Sequence, residues 1–276
     1  MVKREKINGV TYCFYDDETK DDFMQTNLSR PEVPESYKYI RNNPINVFFS
    51  NILYYCIAKP IMSLICIFGG VRCKNRKNLK PLKKTGTFIY ANHTSIFDMF
   101  AIQSFVVRGK RTNLIGYSDM TSVPIGVNIC NALGYIPLPL ANLKCVRNML
   151  KGLDYYINKK KQDVLIFPEA HVWPFYTEIR KFPSASFHYP AKLMAPVIPI
   201  VTVYRKSHFY RKPRPTIIVG EPIYPKKEFD LKQNRDYLYE ECYKQMVAIS
   251  NSYDQPKYFK YVKTSKENWY NKKAPN

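Results

Sequence analysis

The chain has 276 residues, enough for one catalytic domain with extensions and a sizeable core. Its formal net charge of +21 favours an anionic partner, either nucleic acid or an anionic membrane surface. The sequence has no zinc-finger spacing, Walker loop or glycine-rich phosphate loop, so nucleic acid is not expected. The seven cysteines are scattered and include no Cys-x-x-Cys pair, which fits free thiols in a reducing compartment better than a disulfide framework or a metal site.

The first 44 residues are mostly polar, and residues 10–15 are a candidate strand within them. The longest apolar stretch follows at 45–71 and is interrupted by Lys59-Pro60. Each half is shorter than the roughly 20 residues that cross a bilayer as a helix. One span would place Lys59 near mid-membrane, at a cost of about 2.5–3.5 kcal/mol.

We therefore predict that residues 45–71 form a bent helical hairpin that dips into one leaflet, with Lys59 reaching the head groups. A buried pair of core helices and a true span are the alternatives. A basic cluster that could contact an anionic cytoplasmic leaflet follows directly: Arg72, Lys74, Arg76, Lys77, Lys80, Lys83 and Lys84.

Short apolar runs then alternate with helical segments. The pattern predicts strands at 87–91, 112–117, 163–167, 197–204 and 216–219, an extended run at 134–138, and helices at 96–106, 127–133 and 142–159. Strands interleaved with helices predict an α/β layer sandwich. Asp230 caps a further amphipathic helix. The tail after Tyr253 is basic and aromatic, and is either a solvated end or a second membrane contact.

A histidine and an aspartate stand where the strand at 87–91 is followed by a helix. His93 and Asp98 are five positions apart, which on a continuous helix would turn them about 140° from each other. They can meet only if His93 lies in the turn and Asp98 in the first helical turn, with Thr94 or Ser95 as N-cap. Asp98 would then hold one ring nitrogen of His93 and leave the other to take a proton from a substrate hydroxyl. By spacing alone, an ordinary surface or capping pair is the alternative.

Three blocks resemble those of the glycerophospholipid acyltransferases, the lysophosphatidate acyltransferases and their relatives. The first is Asn-His-x-Ser-x-x-Asp at 92–98, the second is Phe167-Pro168-Glu169, and the third is the proline-containing strand at 195–200. They occur in the family's order and cover about residues 78–221. The resemblance implies an α/β acyltransferase domain of layered sheet and helices.

The resemblance also implies the reaction, which is transfer of a fatty acyl group from acyl-CoA or acyl carrier protein to a hydroxyl of lysophosphatidate or a related lysolipid. His93 would be the general base and Asp98 would orient it, so the acceptor's own hydroxyl is the nucleophile. The Phe167-Pro168-Glu169 block would lie at the acceptor site. Backbone N–H groups at the helix start are candidate oxyanion donors. No metal or other cofactor is expected.

The sequence departs from the family in two blocks. Ala170-His171-Val172 stands where the family has Gly-Thr-Arg. The family's Gly-x-x-x-x-Asp-Arg block, whose arginine is thought to hold the acceptor phosphate, is represented by residues 134–140, which lack both the acid and the arginine. A phosphate still needs a cation. Arg147, Arg180 and Lys181 are candidates, and Arg180 is preferred because it follows the Phe-Pro-Glu block closely.

The chain is thus predicted to comprise a polar N-terminal extension (1–44), a membrane-associated helical segment with a basic flank (45–77), the acyltransferase domain (78–225), and a C-terminal amphipathic helix with a basic tail (226–276). Its location is predicted at the cytoplasmic face of a membrane. Two rivals remain. One is the same chemistry on a different acceptor, and the other is a non-enzymatic membrane- or RNA-binding protein on a decayed acyltransferase scaffold.

Overall fold

The structure is a computed structural model that describes residues 3–24, 30–119 and 124–264. These residues form a mixed α/β fold, in which helices cover both faces of a central sheet. The α/β part of the predicted fold class, a layered sheet with helices, is confirmed. The strands within the described residues are β1 (Lys3–Ile7), β2 (Val10–Tyr15), β3 (Arg72–Lys74), β4 (Phe88–Ala91), β5 (Thr112–Gly116), β6 (Tyr135–Pro137), β7 (Asp163–Ile166), β8 (Val197–Arg205), β9 (Arg214–Val219) and β10 (Phe259–Lys263).

The described α-helices are α1 (Pro44–Asn51), α2 (Lys59–Phe68), α3 (Asp98–Phe100), α4 (Pro124–Ala132), α5 (Leu143–Asp154), α6 (His188–Leu193) and α7 (Leu231–Asn251). Turns of π-helix extend three of them, at Ile52–Ala58, Ala101–Val106 and Tyr155–Lys159. Short 3-10 helices lie at Arg76–Leu82 and Ser184–Phe187.

Within the described chain, seven strands form the central sheet in the order β3-β9-β8-β4-β7-β5-β6. All neighbouring pairs are parallel except β8 and β9. Tyr90 of β4 lies beside Ile166 of β7 and Pro199 of β8, so these strands end at the same edge of the sheet. In open parallel sheets this carboxyl edge is where ligands bind. The loops after β4 and β7, which carry the first two sequence blocks, therefore meet there.

The strand β4 is buried on both faces. Phe88 and Tyr90 point to the face that is covered by α5, α6 and α7. Ile89 and Ala91 point to the opposite face, which is covered by α2 and the π-helical turns Ala101–Val106. A parallel strand between two helical layers needs apolar side chains at every position, which explains the unbroken apolar run.

The predicted helical hairpin is wrong in its geometry. The structure has one continuous helix, Pro44–Phe68, which we call the apolar helix. Among the described residues, it alone is long and apolar enough to cross a membrane. Pro60 does not break it because the preceding turns are π-helical, with the Lys59 amide donating to the Tyr54 carbonyl five residues back. This wider turn accommodates a proline ring that would clash in a regular α-helix.

Lys59 does not reach towards head groups as predicted. Its ammonium group points into the protein and donates to the carbonyls of Val107 at 2.8 Å and Lys110 at 2.9 Å. A charged group on the protein-facing side of an apolar helix needs such acceptors, because burial without them would be costly. The lysine therefore fastens the middle of the apolar helix to the domain.

Residues 30–43, which we call the N-terminal strap, pack against the domain although their composition predicts a polar extension. Val33 is buried in the main core, and the Tyr39 hydroxyl donates to the carbonyl of Pro137 at the end of β6. The Glu32 carboxylate accepts the backbone N–H groups of Leu140 and Ala141, both at 3.2 Å. The strap thus lies along the segment that follows β6.

The two ends of the described chain form a second sheet, with strand order β1-β2-β10. It confirms the predicted strand at 10–15. Within the basic and aromatic tail, β10 pairs with β2 in this sheet. Residues 265–276 of the tail lie outside the described residues. Trp173 is fully buried beneath this sheet, stacked on Tyr261 with ring centroids 5.0 Å apart. The sheet therefore covers the loop that follows Phe167-Pro168-Glu169.

Candidate active site

The turn after β4 starts from an anchor that the sequence analysis missed. The Asn92 side chain donates to the carbonyl of Thr202 at 3.0 Å and accepts its N–H at 2.8 Å. These two bonds mimic a strand ladder and fix the end of β4 to β8. Asparagine at this position is part of the first sequence block, but its partner is 110 residues away and leaves no local signal.

The Asp98 carboxylate closes the turn. Its Oδ2 accepts the backbone N–H groups of Thr94 at 2.7 Å and Ser95 at 2.8 Å, and Asp98 is the first residue of α3. The predicted N-cap is wrong: Phe97 holds that position, and the Ser95 hydroxyl accepts the Phe97 N–H at 3.2 Å. The amides of Thr94 and Ser95 are thus bonded to Asp98 and cannot serve as oxyanion donors in this arrangement.

The structure brings His93 and Asp98 together in the predicted way, with the imidazole in the turn and the carboxylate in the first helical turn. His93 Nδ1 lies 3.5 Å from Asp98 Oδ2, which is an ion-pair contact longer than an N–H···O hydrogen bond. That nitrogen has no closer partner among the described residues. The imidazole also stacks on the half-buried Phe167 ring, with centroids 4.1 Å apart and planes inclined by 17°. Packing and charge together therefore set the orientation of the ring.

Glu169 connects this turn to the rest of the Phe-Pro-Glu loop. Its Oε2 accepts the backbone N–H of His93 at 3.2 Å, and its Oε1 accepts the backbone N–H of Arg180 at 3.0 Å. Oε2 also accepts from the Arg180 guanidinium at 2.9 Å. The prediction that Glu169 binds the acceptor is wrong in this structure, because its side chain is buried and both carboxylate oxygens are bonded within the protein. Glu169 instead holds the backbone of His93 in position. Pro168, between Phe167 and Glu169, is half-buried at the edge of the site.

The proposed phosphate ligand Arg180 lies where no phosphate can reach it. Its exposed fraction is 0%, and its guanidinium carbon lies 4.8 Å from the centroid of the Trp173 ring. The group donates to Glu169, to the carbonyl of His171 and to the carbonyl of Glu18 in the N-terminal segment. Its assignment to substrate binding is wrong in this structure. The arginine is instead the counter-charge that makes a buried Glu169 tolerable.

A different arginine lies at the carboxyl edge of the sheet. Arg30, at the start of the N-terminal strap, is exposed and stacks on Tyr117, with its guanidinium carbon 4.1 Å from the ring centroid. Tyr117 follows β5 and is itself stacked near His171 at 6.2 Å. His171 Nδ1 lies 3.4 Å from Asp22 Oδ2. Burial opposes ionisation of Asp22, but hydrogen bonds from His171 and from the Met24 N–H, followed by the charges of His171 and Arg30, outweigh it and keep the pKa of Asp22 below its usual value.

Arg147 and Lys181, the other two candidates for the phosphate ligand, are exposed on the surface.

Within the described residues, no group of three or more His, Cys, Asp or Glu side chains could hold a metal ion.

A family model described as Acyltransferase matches residues 70–203, which run from the end of the apolar helix to β8. Residues 70–203 therefore form an acyltransferase domain. In this acyltransferase, the matched residues contain the His93–Asp98 turn and the Phe-Pro-Glu loop.

The crystal structure of the 1-acyl-sn-glycerophosphate (LPA) acyltransferase PlsC from Thermotoga maritima is similar to this acyltransferase. The two share 20% sequence identity with a TM-score of 0.51, over 76% of this chain and 89% of that chain. At this identity the likeness shows a common fold. No curated protein sequence matches the chain. Together the family match and the shared fold confirm the resemblance to the glycerophospholipid acyltransferases.

Replacing Arg180 should destabilise this acyltransferase. Arg180→Ala leaves the Glu169 charge buried and unpaired, which should lower the free energy of unfolding by about 3–5 kcal/mol. Chemical denaturation monitored by tryptophan fluorescence measures this free energy of unfolding. The exposed neighbour provides a matched control, since Lys181→Ala should change stability by less than about 0.5 kcal/mol. A stable Arg180→Ala protein with only a raised acceptor KM would restore the phosphate-binding assignment.

Proposed function

We propose that this acyltransferase moves a fatty acyl group from acyl-CoA or acyl carrier protein to a hydroxyl of lysophosphatidate or a related lysolipid. The observation that carries the proposal is the contact of His93 with Asp98 at the carboxyl edge of the sheet, with Nδ1 and Oδ2 at 3.5 Å. An imidazole that faces a carboxylate through one nitrogen can use the other as a base near neutral pH.

The chemistry proceeds through a single displacement at the thioester carbonyl. His93 takes the proton of the acceptor hydroxyl as its oxygen attacks that carbonyl, and Asp98 stabilises the imidazolium. As the tetrahedral intermediate collapses, the C–S bond breaks and the imidazolium returns the proton to the departing thiolate. The products are the ester and the free thiol, so the histidine ends in its starting state and no cofactor takes part in the proposed steps.

Arg30 is the cation that we propose for the acceptor's phosphate. Pro139 and Leu140 stand at the two positions of the family's Asp-Arg pair, counted from Gly134. The N-terminal strap reaches this place: Glu32 bonds the Leu140 backbone, and Arg30 lies two residues earlier on Tyr117. The strap therefore offers both an acid and an arginine where the local sequence has neither.

The position of Arg30 suits an acceptor whose hydroxyl lies at His93. Tyr117 follows β5, and His93 follows β4, with β7 between them. Two strand spacings are about 10 Å, which a glycerol phosphate and an extended guanidinium side chain can bridge together. Arginine is also the side chain whose fork of donors best fits phosphate oxygens.

Membrane attachment through the apolar helix completes the proposal. The face of this helix that carries Tyr54 and Cys66 packs on the domain, while Phe48 and Phe49 are 61% and 63% exposed. A helix with one side on protein and a broad apolar side outside suits a position in the membrane interface. We propose that the acceptor approaches His93, which is 7% exposed, past the exposed side chains of Ile96 and Phe97 in the catalytic turn. The cytoplasmic face stays a prediction.

Removing the base tests the reaction. His93→Ala should lower kcat by roughly 10²–10⁴-fold, because proton transfer from the hydroxyl is lost. Thiol release from acyl-CoA and acyl carrier protein, with and without lysolipid, measures the rate, and lipid mass spectrometry identifies the product. His208→Ala, in the exposed loop between β8 and β9, is the control and should keep full activity. Equal activity in both variants would remove His93 from the chemistry.

Removing the strap arginine tests the acceptor site. Arg30→Ala should raise the KM for lysophosphatidate roughly 10–100-fold, the effect of losing a hydrogen-bonded charge pair, while the KM of the thioester stays constant. Arg147→Ala, an exposed arginine on α5, should leave both constants unchanged. If Arg30→Ala alters neither constant, the phosphate is bound elsewhere or the acceptor carries none.

Polar residues on the apolar helix test membrane attachment. Phe48→Ser with Phe49→Ser should reduce partition onto phospholipid vesicles by roughly 10-fold or more, because two aromatic side chains lose their burial in lipid. Vesicle flotation measures this partition. Tyr224→Ser with Leu231→Ser removes two exposed apolar residues near the start of α7 and serves as the control. Equal flotation of the two double variants would contradict the assignment.

A further inference from the structure

The 3-10 helix Arg76–Leu82 sorts its residues into rows. Because a 3-10 helix has three residues per turn, side chains three positions apart lie above one another. Leu79 and Leu82 are in one row, with Leu82 buried in the core. Lys77, Lys80 and Lys83 form the next row and are exposed. The helix is therefore amphipathic, with a row of lysine ammonium groups beside a row of apolar side chains.

This helix borders a cavity of about 410 Å³, which we call the basic cavity. The cavity lies at the amino ends of β4, β7 and β8, the edge of the sheet opposite to His93. Along β4 alone, Ile89 and His93 are separated by about 13 Å at strand rise. Its apolar lining consists of Leu79, Leu82, Ile89, Val106, Val107 and Ile198.

Positive charge surrounds the apolar lining. The basic lining residues are Arg76, Lys77, Lys80, Lys83, Arg108 and Lys110. Asp163 is the acid among the lining residues, and Lys110 pairs with it at 2.5 Å. Lys110 also donates to the carbonyls of Leu82 and Thr85, so it is committed to the fold. Arg76 also donates to the carbonyl of Phe105 at 2.7 Å, which leaves Lys77, Lys80, Lys83 and Arg108, while the lining carboxylate of Asp163 is already paired with Lys110.

The lining selects among anionic ligands. It contains no Phe, Tyr or Trp ring on which a base could stack, which disfavours nucleotides and single-stranded nucleic acid. Free inorganic phosphate has no apolar group that could contact the apolar side chains of the lining. A phosphate that carries an acyl chain satisfies both parts, with the head group at the lysine row and the chain on the apolar lining.

The location favours a lipid that is already in the membrane. The apolar helix leads through β3 directly into the 3-10 helix, and α2 packs on the π-helical turns Ala101–Val106, whose end lines the cavity. If the apolar helix lies in the membrane interface, as proposed above, the lysine row lies near the head groups. We infer that the basic cavity binds one anionic phospholipid of the membrane, at a site separate from the acceptor site.

Soluble short-chain lipids test this inference without any turnover. Calorimetric titration of the full chain would compare dioctanoyl phosphatidylglycerol with dioctanoyl phosphatidylcholine, inorganic phosphate and acyl-CoA. The triple variant Lys77→Gln, Lys80→Gln, Lys83→Gln removes the row. A lysine near an anionic surface contributes about 1 kcal/mol, so the loss of three should weaken phosphatidylglycerol binding by roughly 100-fold. All three lysines are exposed, so thermal unfolding should be unchanged.

The matched control removes three exposed lysines at and before α7, on the other side of the sheet, through Lys227→Gln, Lys232→Gln and Lys244→Gln. It has the same net charge as the test variant and should bind phosphatidylglycerol as the wild type does. Acyl-CoA binding should be the same in both triple variants. Because no step of the assay is catalytic, His93→Ala should also bind normally, which separates this site from the proposed reaction.

Four results would overturn the inference. Equal binding of inorganic phosphate would show a plain anion site, and equal binding of phosphatidylcholine would show that charge is irrelevant. Selective loss of acyl-CoA binding in the test variant would assign the cavity to the donor. If both triple variants bound phosphatidylglycerol equally weakly, the loss would come from the change in net charge and not from this cavity.

Discussion

The hydrogen bonds from Thr94 and Ser95 to Asp98 are the constraint on which the site depends. A chain that leaves a buried strand must satisfy its backbone donors within a few residues. Here one carboxylate oxygen accepts two of them and lies beside the imidazole as well. The same contact thus folds the turn and fixes the base. It also means that oxyanion donors must be sought outside these two amides, since both are already bonded.

Glu169 supports this turn from the neighbouring strand. A carboxylate buried beneath the base is acceptable only with a complete set of partners, and Arg180 supplies them through its backbone and its guanidinium. Trp173 and the terminal sheet then cover the arginine. Residues from both ends of the described chain therefore stabilise the Phe-Pro-Glu loop, and the arginine closest to the motif in sequence is the one least able to contact a substrate.

The two edges of the sheet differ in chemistry. The carboxyl edge combines the base with exposed apolar residues of the turn and with Arg30 from the strap, which suits an amphiphilic acceptor. The amino edge combines a row of lysines with an apolar cavity, which suits an anionic lipid that is held and not converted. The apolar helix packs against the layer that lines the cavity.

The sequence by itself determined the α/β fold class and most of the strands and helices, because periodicity acts over a few residues. It allowed His93 and Asp98 to meet in the turn, and its resemblance to the acyltransferase blocks favoured that arrangement over a surface or capping pair. It could not determine the path of the apolar helix through Pro60, because that depends on π-helical turns and on carbonyls of Val107 and Lys110 that receive Lys59. Nor could the sequence show that Arg180 is buried while Arg30 is exposed at the carboxyl edge of the sheet. Only the tertiary structure buries the first beneath Trp173 and the terminal sheet and brings the second to Tyr117, because that sheet and the Tyr117 ring come from distant parts of the chain.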